Sequence, residues 1–179
     1  MKDGLSDRTV KFLADNMDKA DADTYAKLKY GVELLYMNLY KTALLVIAVI
    51  FFGIWKEVVI FAFSYCLMRT FAHGIHLNSG IGCTIWGFIN YIGSAYLARL
   101  ITFDFVCTQI ICAVMLILYA IYAPAATAKR PIGKKERVRL KTGSLVVLSG
   151  LFAMIVFFKT GDVSDLILLG IIAEAINIL

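Results

Sequence analysis

The sequence is poor in residues that break helices or carry polar chemistry. Its 179 residues include two prolines, two histidines and four cysteines, and charged side chains make up only 17% of the chain. The scarcity of proline, together with the lack of a long Ser/Gly/Pro-rich linker, predicts one domain over residues 1–179 rather than two. The lack of an internal repeat argues against a transporter that is built from two paired halves.

Apolar residues dominate the composition. Hydrophobic side chains make up 60% of the chain, and the mean hydropathy is +0.79. The apolar runs should form membrane-crossing helices, because a lipid-exposed backbone must satisfy its own hydrogen bonds. Six runs cover residues 32–55, 58–68, 83–101, 105–123, 144–158 and 166–179. We therefore predict an all-α fold, a polytopic membrane bundle with about six transmembrane helices over residues 32–179.

An amphipathic segment precedes this bundle. Within residues 5–28, apolar side chains recur at the spacing of one helix face, at Val10, Leu13, Ala14 and Met17. The simplest interpretation is an interfacial helix that lies on the membrane surface. A helix that packs against a basic loop explains the same pattern equally well.

Basic residues are concentrated between the fourth and fifth apolar runs. Residues 128–143 contain seven basic side chains and one acidic side chain. Basic residues in short loops mark the cytoplasmic side, so six spans place both termini and the connection at 69–83 in the cytoplasm. The net charge of +5 then reflects topology and contact with anionic lipids. Nothing in the charge pattern indicates nucleic-acid binding.

The stretch RTFAHGIHLNSGIGC, residues 69–83, contains both histidines and one cysteine between two apolar runs. On one unbroken helix His76 and Cys83 would be about 10 Å apart, which is too far for a nucleophile and its base. Asn78, Ser79 and two glycines favour a turn, with a new helix that starts near Cys83. A helix N-terminus and a protonated histidine both favour the reactive thiolate. These residues predict a Cys–His dyad at the cytoplasmic face of the membrane.

Other polar residues have more ordinary explanations. We expect Arg69 to anchor a carboxylate or carbonyl, or to hold the helix end at the lipid headgroups. Gly74, between the histidines, allows the close approach of a backbone. Lys41 and Glu174 lie close enough to segment ends to reach the headgroups. The remaining cysteines are interpreted as small apolar side chains: Cys66, Cys107 and Cys112.

Two other functions explain part of the pattern. His73, His76 and Cys83 supply three ligands for zinc, but no further Cys/His pair follows, so we expect no bound metal and no cofactor. A small channel, transporter or membrane scaffold explains the apolar runs and treats the histidines as pH-sensing or interface residues. It leaves the turn residues before Cys83 unexplained, so a peptidase is favoured.

This stretch resembles the motif of the accessory gene regulator B family, bacterial membrane endopeptidases that mature quorum-sensing peptides. The resemblance rests on R-x-x-A-H-G-x-H followed seven residues later by cysteine, at Arg69, Ala72, His73, Gly74, His76 and Cys83. Chain length, the amphipathic N-terminus, the apolar runs and the basic segment extend it over essentially the whole chain. Many members have Gly-Gly where this chain has His73-Gly74, so the resemblance leaves the role of His73 open. We place His73 among the supporting or substrate-binding residues.

The resemblance implies a thiol protease of the bacterial plasma membrane, with Cys83 as nucleophile, His76 as general base, and Arg69 and Gly74 in support. It implies a short precursor peptide as substrate, with an amphipathic leader and an acidic C-terminal tail. Attack by Cys83 before the tail gives an acyl-enzyme thioester. An internal cysteine or serine of the substrate then displaces the enzyme and closes a thiolactone or lactone, the quorum-sensing signal.

Other parts of the chain also have roles in this picture. The side chains of Asn78 and Ser79, with the backbone N–H of Cys83, are the nearest candidates for oxyanion donors. The basic segment 128–143 would attract the acidic tail, and the N-terminal helix would pair with the leader. The small bundle and the resemblance favour a homodimer. Membrane lipids are the other expected partners.

Overall fold

The computed structural model of the protein describes residues 3–16, 21–73, 80–125, 133–158 and 161–179. These ranges are almost entirely helical and contain no β-sheet. In chain order the elements are α1 (Asp3–Asp15), α2 (Ala22–Phe51), α3 (Trp55–Ala72), α4 (Gly80–Phe88), a π-helical turn (Ile89–Gly93), α5 (Ser94–Leu100), α6 (Phe105–Tyr122), α7 (Lys134–Phe158) and α8 (Asp162–Ile178). The predicted all-α fold is confirmed.

The chain folds as two units, and the first, Met1–Phe51, contains α1 and α2. The two helices pack together through polar side chains on their facing surfaces. Thr9 Oγ1 and Tyr36 Oη are 3.0 Å apart and share a hydrogen bond, and Lys29 Nζ lies 3.2 Å from a carboxylate oxygen of Asp7. A small helical hairpin results.

The predicted amphipathic segment 5–28 falls on two helices. α1 ends at Asp15, and α2 begins at Ala22 and continues into the first apolar run. The carboxylate of Asp21 accepts a hydrogen bond of 2.9 Å from the N–H of Thr24, which caps the first turn of α2. Hydrogen bonds from the side chain and then from the backbone N–H of Thr24 lower the pKa of Asp21. Residues 22–28 therefore belong to the long apolar helix, and Met17 lies outside the described residues.

The second unit, Phe52–Leu179, contains α3 to α8, and α8 occupies its centre. α8 packs against α3, α5, α6 and α7, and most of its side chains are buried. The hydroxyl of Tyr119 on α6 donates to the carbonyl oxygen of Ile171, at 2.9 Å. Arg99 on α5 pairs with Glu57 on α3. The last apolar run of the sequence is thus a core helix, apolar mainly because it faces other helices.

Among the described residues, three helices are long and apolar enough to cross a membrane: Asp23–Phe51, Phe105–Tyr122 and Lys134–Phe158. The other predicted spans fall short of that length and apolarity for reasons visible in the helices. α3 includes Lys56, Glu57 and Arg69, and α8 is 17 residues long with three carboxylates. A π-helical turn divides the third run. The structure supports a membrane protein, and the predicted count of six spans is not confirmed.

Candidate active site

The end of α3 and the start of α4 flank the motif that the sequence singles out. α3 continues to Ala72, and His73 ends it with a backbone φ of 54° and its N–H donating to the carbonyl of Arg69 at 3.2 Å. α4 begins at Gly80, so Cys83 lies in its first turn. The chain is therefore not one unbroken helix from His73 to Cys83, but the break that the structure describes is at His73. Gly80 and Gly82, which the sequence analysis assigned to the turn, are already helical.

Four of the candidate site residues lie outside the described residues: Gly74, His76, Asn78 and Ser79. The Cys83–His76 dyad and the alternative zinc site therefore both remain predictions. Cys83 is half-buried and forms no disulfide. The structure describes the two helices on either side of the motif, which are the end of α3 and the start of α4. It also describes the residues that contact these helices.

A backbone contact joins the end of α3 to the segment that leads into the basic residues. The N–H of Ala125 donates to the carbonyl oxygen of Ala72, at 2.9 Å, and Ala125 forms a parallel bridge with His73. Residues 123–125 follow α6 directly. The chain therefore enters the basic segment from a point beside the candidate site.

The basic segment 128–143 is helical from Lys134 onward, because α7 begins there. Its described cations are Lys134, Lys135, Arg137, Arg139 and Lys141, and the first four are exposed. The predicted loop is thus mostly the first turns of a long helix. Because the first turns of α7 are helical, these cations are distributed around the helix axis. They directly precede the apolar part of the same helix.

Arg69 forms an ion pair within the protein. Its Nη1 donates to both carboxylate oxygens of Glu174 on α8, at 3.0 and 3.3 Å. The side chain of Glu174 is 0% exposed and that of Arg69 is 24% exposed. The prediction that Glu174 reaches the headgroups was wrong, because its carboxylate is turned inward to Arg69. The expectation that Arg69 holds a carboxylate is met by a residue of this chain.

Asn177, one helical turn after Glu174, connects this pair to α4. Its Oδ1 accepts a hydrogen bond of 3.0 Å from Nε1 of Trp86. Its Nδ2 lies 3.2 Å from Oη of Tyr65 and 3.4 Å from Oε2 of Glu174. Since an indole N–H can only donate, the amide must present its oxygen to Trp86 and its nitrogen to the others.

These five side chains form a polar cluster that joins three helices. Hereafter the cluster of Tyr65, Arg69, Trp86, Glu174 and Asn177 is called the α8 cluster. Sequence reasoning missed Tyr65, Trp86 and Asn177 as members. The usable signal was spacing: Tyr65 is one turn before Arg69, and Trp86 is one turn after Cys83. No local pattern links those positions to residues 174 and 177, about a hundred residues away.

The all-helical fold and its long apolar helices define a helical membrane protein. The model of the family described as Accessory gene regulator B matches residues 6–178. The chain therefore belongs to the accessory gene regulator B family. Membership implies that the protein takes part in the maturation of accessory gene regulator autoinducers. This maturation belongs to the peptide-processing pathway of quorum sensing.

Relatives with this name cover most of the chain. It is 28% identical to the accessory gene regulator protein B of Staphylococcus carnosus, over 88% of this chain and 81% of that protein. It is 30% identical to the protein of that name from Staphylococcus epidermidis, over 87% of this chain and 79% of the relative. A putative AgrB-like protein of Clostridium acetobutylicum is 30% identical, over 86% and 74%. No solved structure matches the chain.

Proposed function

We propose that this protein is a membrane-embedded cysteine endopeptidase that removes the C-terminal tail of a short precursor peptide and allows the remainder to cyclise. The observation that carries the proposal is Cys83 in the first turn of α4, directly after a histidine-containing connection, in a chain of the accessory gene regulator B family. A helix N-terminus favours the thiolate, which is the nucleophilic form of cysteine.

In the proposed reaction, His76 takes the proton of the Cys83 thiol, and the sulfur attacks the carbonyl carbon of the bond before the tail. His76 then gives the proton to the departing amine, so the tail leaves and a thioester remains on Cys83. An internal thiol or hydroxyl of the substrate attacks this thioester next. The ring closes as a thiolactone or lactone, and Cys83 regains its proton.

Water must be kept from the thioester, because hydrolysis gives a linear product that no longer cyclises. A site at the membrane face provides such an environment. We place it at the cytoplasmic face of the bacterial plasma membrane, in a multi-pass protein with about six spans and both termini inside. The exposed cations at the start of α7 support this orientation and an attraction for the acidic tail of the substrate.

The remaining proposed roles follow from the same picture. Asn78, Ser79 and the Cys83 N–H are candidates for oxyanion donors, and Gly74 allows the close approach of the substrate backbone. The N-terminal unit would receive the amphipathic leader at the membrane surface. Lipids and a second copy of the chain are the other proposed partners. His73 ends α3 and is proposed to support the site through its backbone.

The test is cleavage of the precursor peptide encoded beside this chain's gene, followed by mass spectrometry with protein in lipid nanodiscs. Cys83→Ala and His76→Ala should each slow release of the tail by more than about 10³-fold, as for other nucleophile–base pairs. Cys107→Ser is the matched control, because Cys107 also lies in the first turn of a helix and is not in a disulfide. It should cleave like the wild type.

A second measurement needs no substrate. The alkylation rate of each cysteine is followed against pH, in the wild type and in His76→Ala, with and without a chelator. Cys83 should react faster than Cys107 near neutral pH, and His76→Ala should remove the difference. If Cys83→Ala still cleaves, or if Cys83 is as slow as Cys107, the peptidase proposal fails and solute flux becomes the next assay. Unmasking of Cys83 by the chelator alone would indicate a metal site instead.

A further inference from the structure

The α8 cluster connects α4, the helix that carries Cys83, with α3, the helix that precedes the predicted general base. On α3, Tyr65 and Arg69 lie one turn apart, and His73 follows Arg69 by one more turn. On α4, Trp86 lies one turn after Cys83. Both helices reach α8 through side chains at these positions, so the cluster includes a residue about one turn before the end of α3 and a residue about one turn after Cys83.

The contacts converge on two residues of α8. Glu174 receives Arg69 from α3, at 3.0 Å. Asn177 receives Trp86 from α4, at 3.0 Å, and donates toward Tyr65 of α3, at 3.2 Å. Each hydrogen bond joins α8 to a different helix or to a different turn of the same helix. Together they fix the position of α4 relative to the end of α3.

Stability alone does not account for this arrangement. A buried ion pair contributes little net stability compared with apolar side chains of the same volume, because both charges lose their hydration. Glu174 has no solvent exposure and still carries an ionisable group. Ionisable groups inside membrane bundles are rare and commonly functional.

We propose that Glu174 and Asn177 are positioning residues of the active site, which hold Arg69 on α3 and Trp86 on α4 and so fix the position of Cys83 relative to the end of α3. This inference rests on the proposed function, because a positioning role requires Cys83 to be the nucleophile. It can be tested without substrate, through the reactivity of the Cys83 thiol. Catalytic pairs lose rate steeply when a helix shifts by about 1 Å. The cluster would prevent such a shift of α4 against α3.

The mildest probe is Trp86→Phe, which keeps an aromatic ring and removes only the donor to Asn177. Asn177→Leu removes the acceptor, and Glu174→Gln removes the charge that faces Arg69. The matched controls are Trp55→Phe and Glu33→Gln, which change exposed residues that are not members of the cluster. The readout is the pH profile of Cys83 alkylation in nanodiscs, with Cys107 of the same molecules as internal reference.

Trp86→Phe should lower the alkylation rate of Cys83 about fivefold near neutral pH, the effect of one hydrogen bond. The rate of Cys107 should be unchanged, and the melting temperature should fall only by the small amount that one lost hydrogen bond causes. The double variant Trp86→Phe/Asn177→Leu should match Asn177→Leu alone, since both changes break the same bond. For cleavage, kcat should fall with KM unchanged, and the two controls should behave like the wild type.

Two results would overturn the inference. In one, all three cluster variants keep the wild-type alkylation profile of Cys83. In the other, Cys107 changes in parallel with Cys83, which indicates a general loosening of the bundle. Failure of the proposed function is seen separately, as cleavage that survives Cys83→Ala. If Cys83→Ala is inactive while the cluster variants cleave normally, the peptidase stands and the positioning role does not.

Discussion

A carboxylate with no solvent exposure inside a helix bundle must be neutral or paired, and Glu174 lies against the guanidinium of Arg69. This pairing changes the role expected of Arg69. Its Nη1 already donates to both oxygens of one carboxylate, so its nearest task is to join α3 to α8. The sequence leaves a carboxylate, a carbonyl and the lipid headgroups open as partners of Arg69. The fold shows that the partner is the carboxylate of Glu174.

His73 has the least favourable backbone of the described site residues. Its φ of 54° and ψ of −160° lie in a region that side chains with a Cβ rarely adopt. Glycine enters this region without strain.

We predict that His73→Gly is more stable than His73→Ala by about 1 kcal/mol, because only alanine retains the Cβ clash. Both variants lose the imidazole, so their difference reports the backbone alone. The measurement is unfolding by denaturant in mild detergent. At Thr70, inside α3, the same two substitutions should rank in the opposite order. Equal stability of His73→Gly and His73→Ala would show that the positive φ carries no strain.

The residue scale also shows where sequence reasoning was insufficient. The turn was predicted to include the two glycines before Cys83, but Gly80 and Gly82 already belong to α4. The break that the structure describes is at His73, and glycine permits a turn without requiring one. The interpretation of Glu174 was wrong because it used only the distance of this residue from the end of its apolar run. The partner of Glu174 lies 105 residues away in the sequence.

At the scale of elements, the closest helix contact is that of α3 with α8. Gly170 makes this approach possible. A Cβ at this position would overlap Oγ of Ser64 and lie 3.0 Å from the carbonyl oxygen of Phe61. Small residues allow helix backbones to approach closely in membrane bundles. The α8 cluster therefore depends on a packing contact one to two turns away along α8.

We predict that Gly170→Ala lowers the free energy of unfolding by about 1–3 kcal/mol, since the methyl group forces α3 and α8 apart. Ser64→Ala in the same chain should restore part of the loss. Gly150→Ala on α7 is the matched control, because nothing lies within 4 Å of a Cβ there. It should be neutral or stabilising by up to about 1 kcal/mol, as alanine favours helices. Destabilisation by both substitutions to the same extent would contradict the packing role.

Some helix ends can be predicted from the neighbouring residues in the sequence, and others cannot. Asp21 caps α2 at a position that a sequence reader can recognise. The basic segment was interpreted as a loop, although α7 begins at Lys134. Lysine and arginine favour helices almost as well as alanine. The charge pattern alone therefore did not predict the backbone conformation.

At the scale of the whole molecule, the native cysteines test the proposed orientation. Cys107 lies at the start of α6, on the outer side in the proposed topology, and Cys83 lies on the cytoplasmic side. In intact cells, a membrane-impermeant thiol reagent should label a variant with Cys107 alone. A variant with Cys83 alone should be labelled only after permeabilisation. The reverse order of labelling would exclude the proposed topology and with it the cytoplasmic placement of the site.

Sequence by itself determined the properties that depend on composition and local pattern. Long apolar helices follow from hydropathy, because backbone groups in lipid must bond within the helix. The motif at 69–83 indicates the family, to which the chain belongs. None of these requires knowledge of which helices are neighbours.

Only the tertiary structure decided which apolar helix faces protein and which polar residues meet. α8 reads as a membrane span and is the core of its unit, because burial against helices and burial in lipid select the same apolar side chains. The α8 cluster joins residues that lie as far apart in the sequence as Tyr65 and Asn177. A local sequence pattern cannot predict a contact between residues so far apart. Packing determines such contacts, since a polar group inside the bundle is stable only beside its partner.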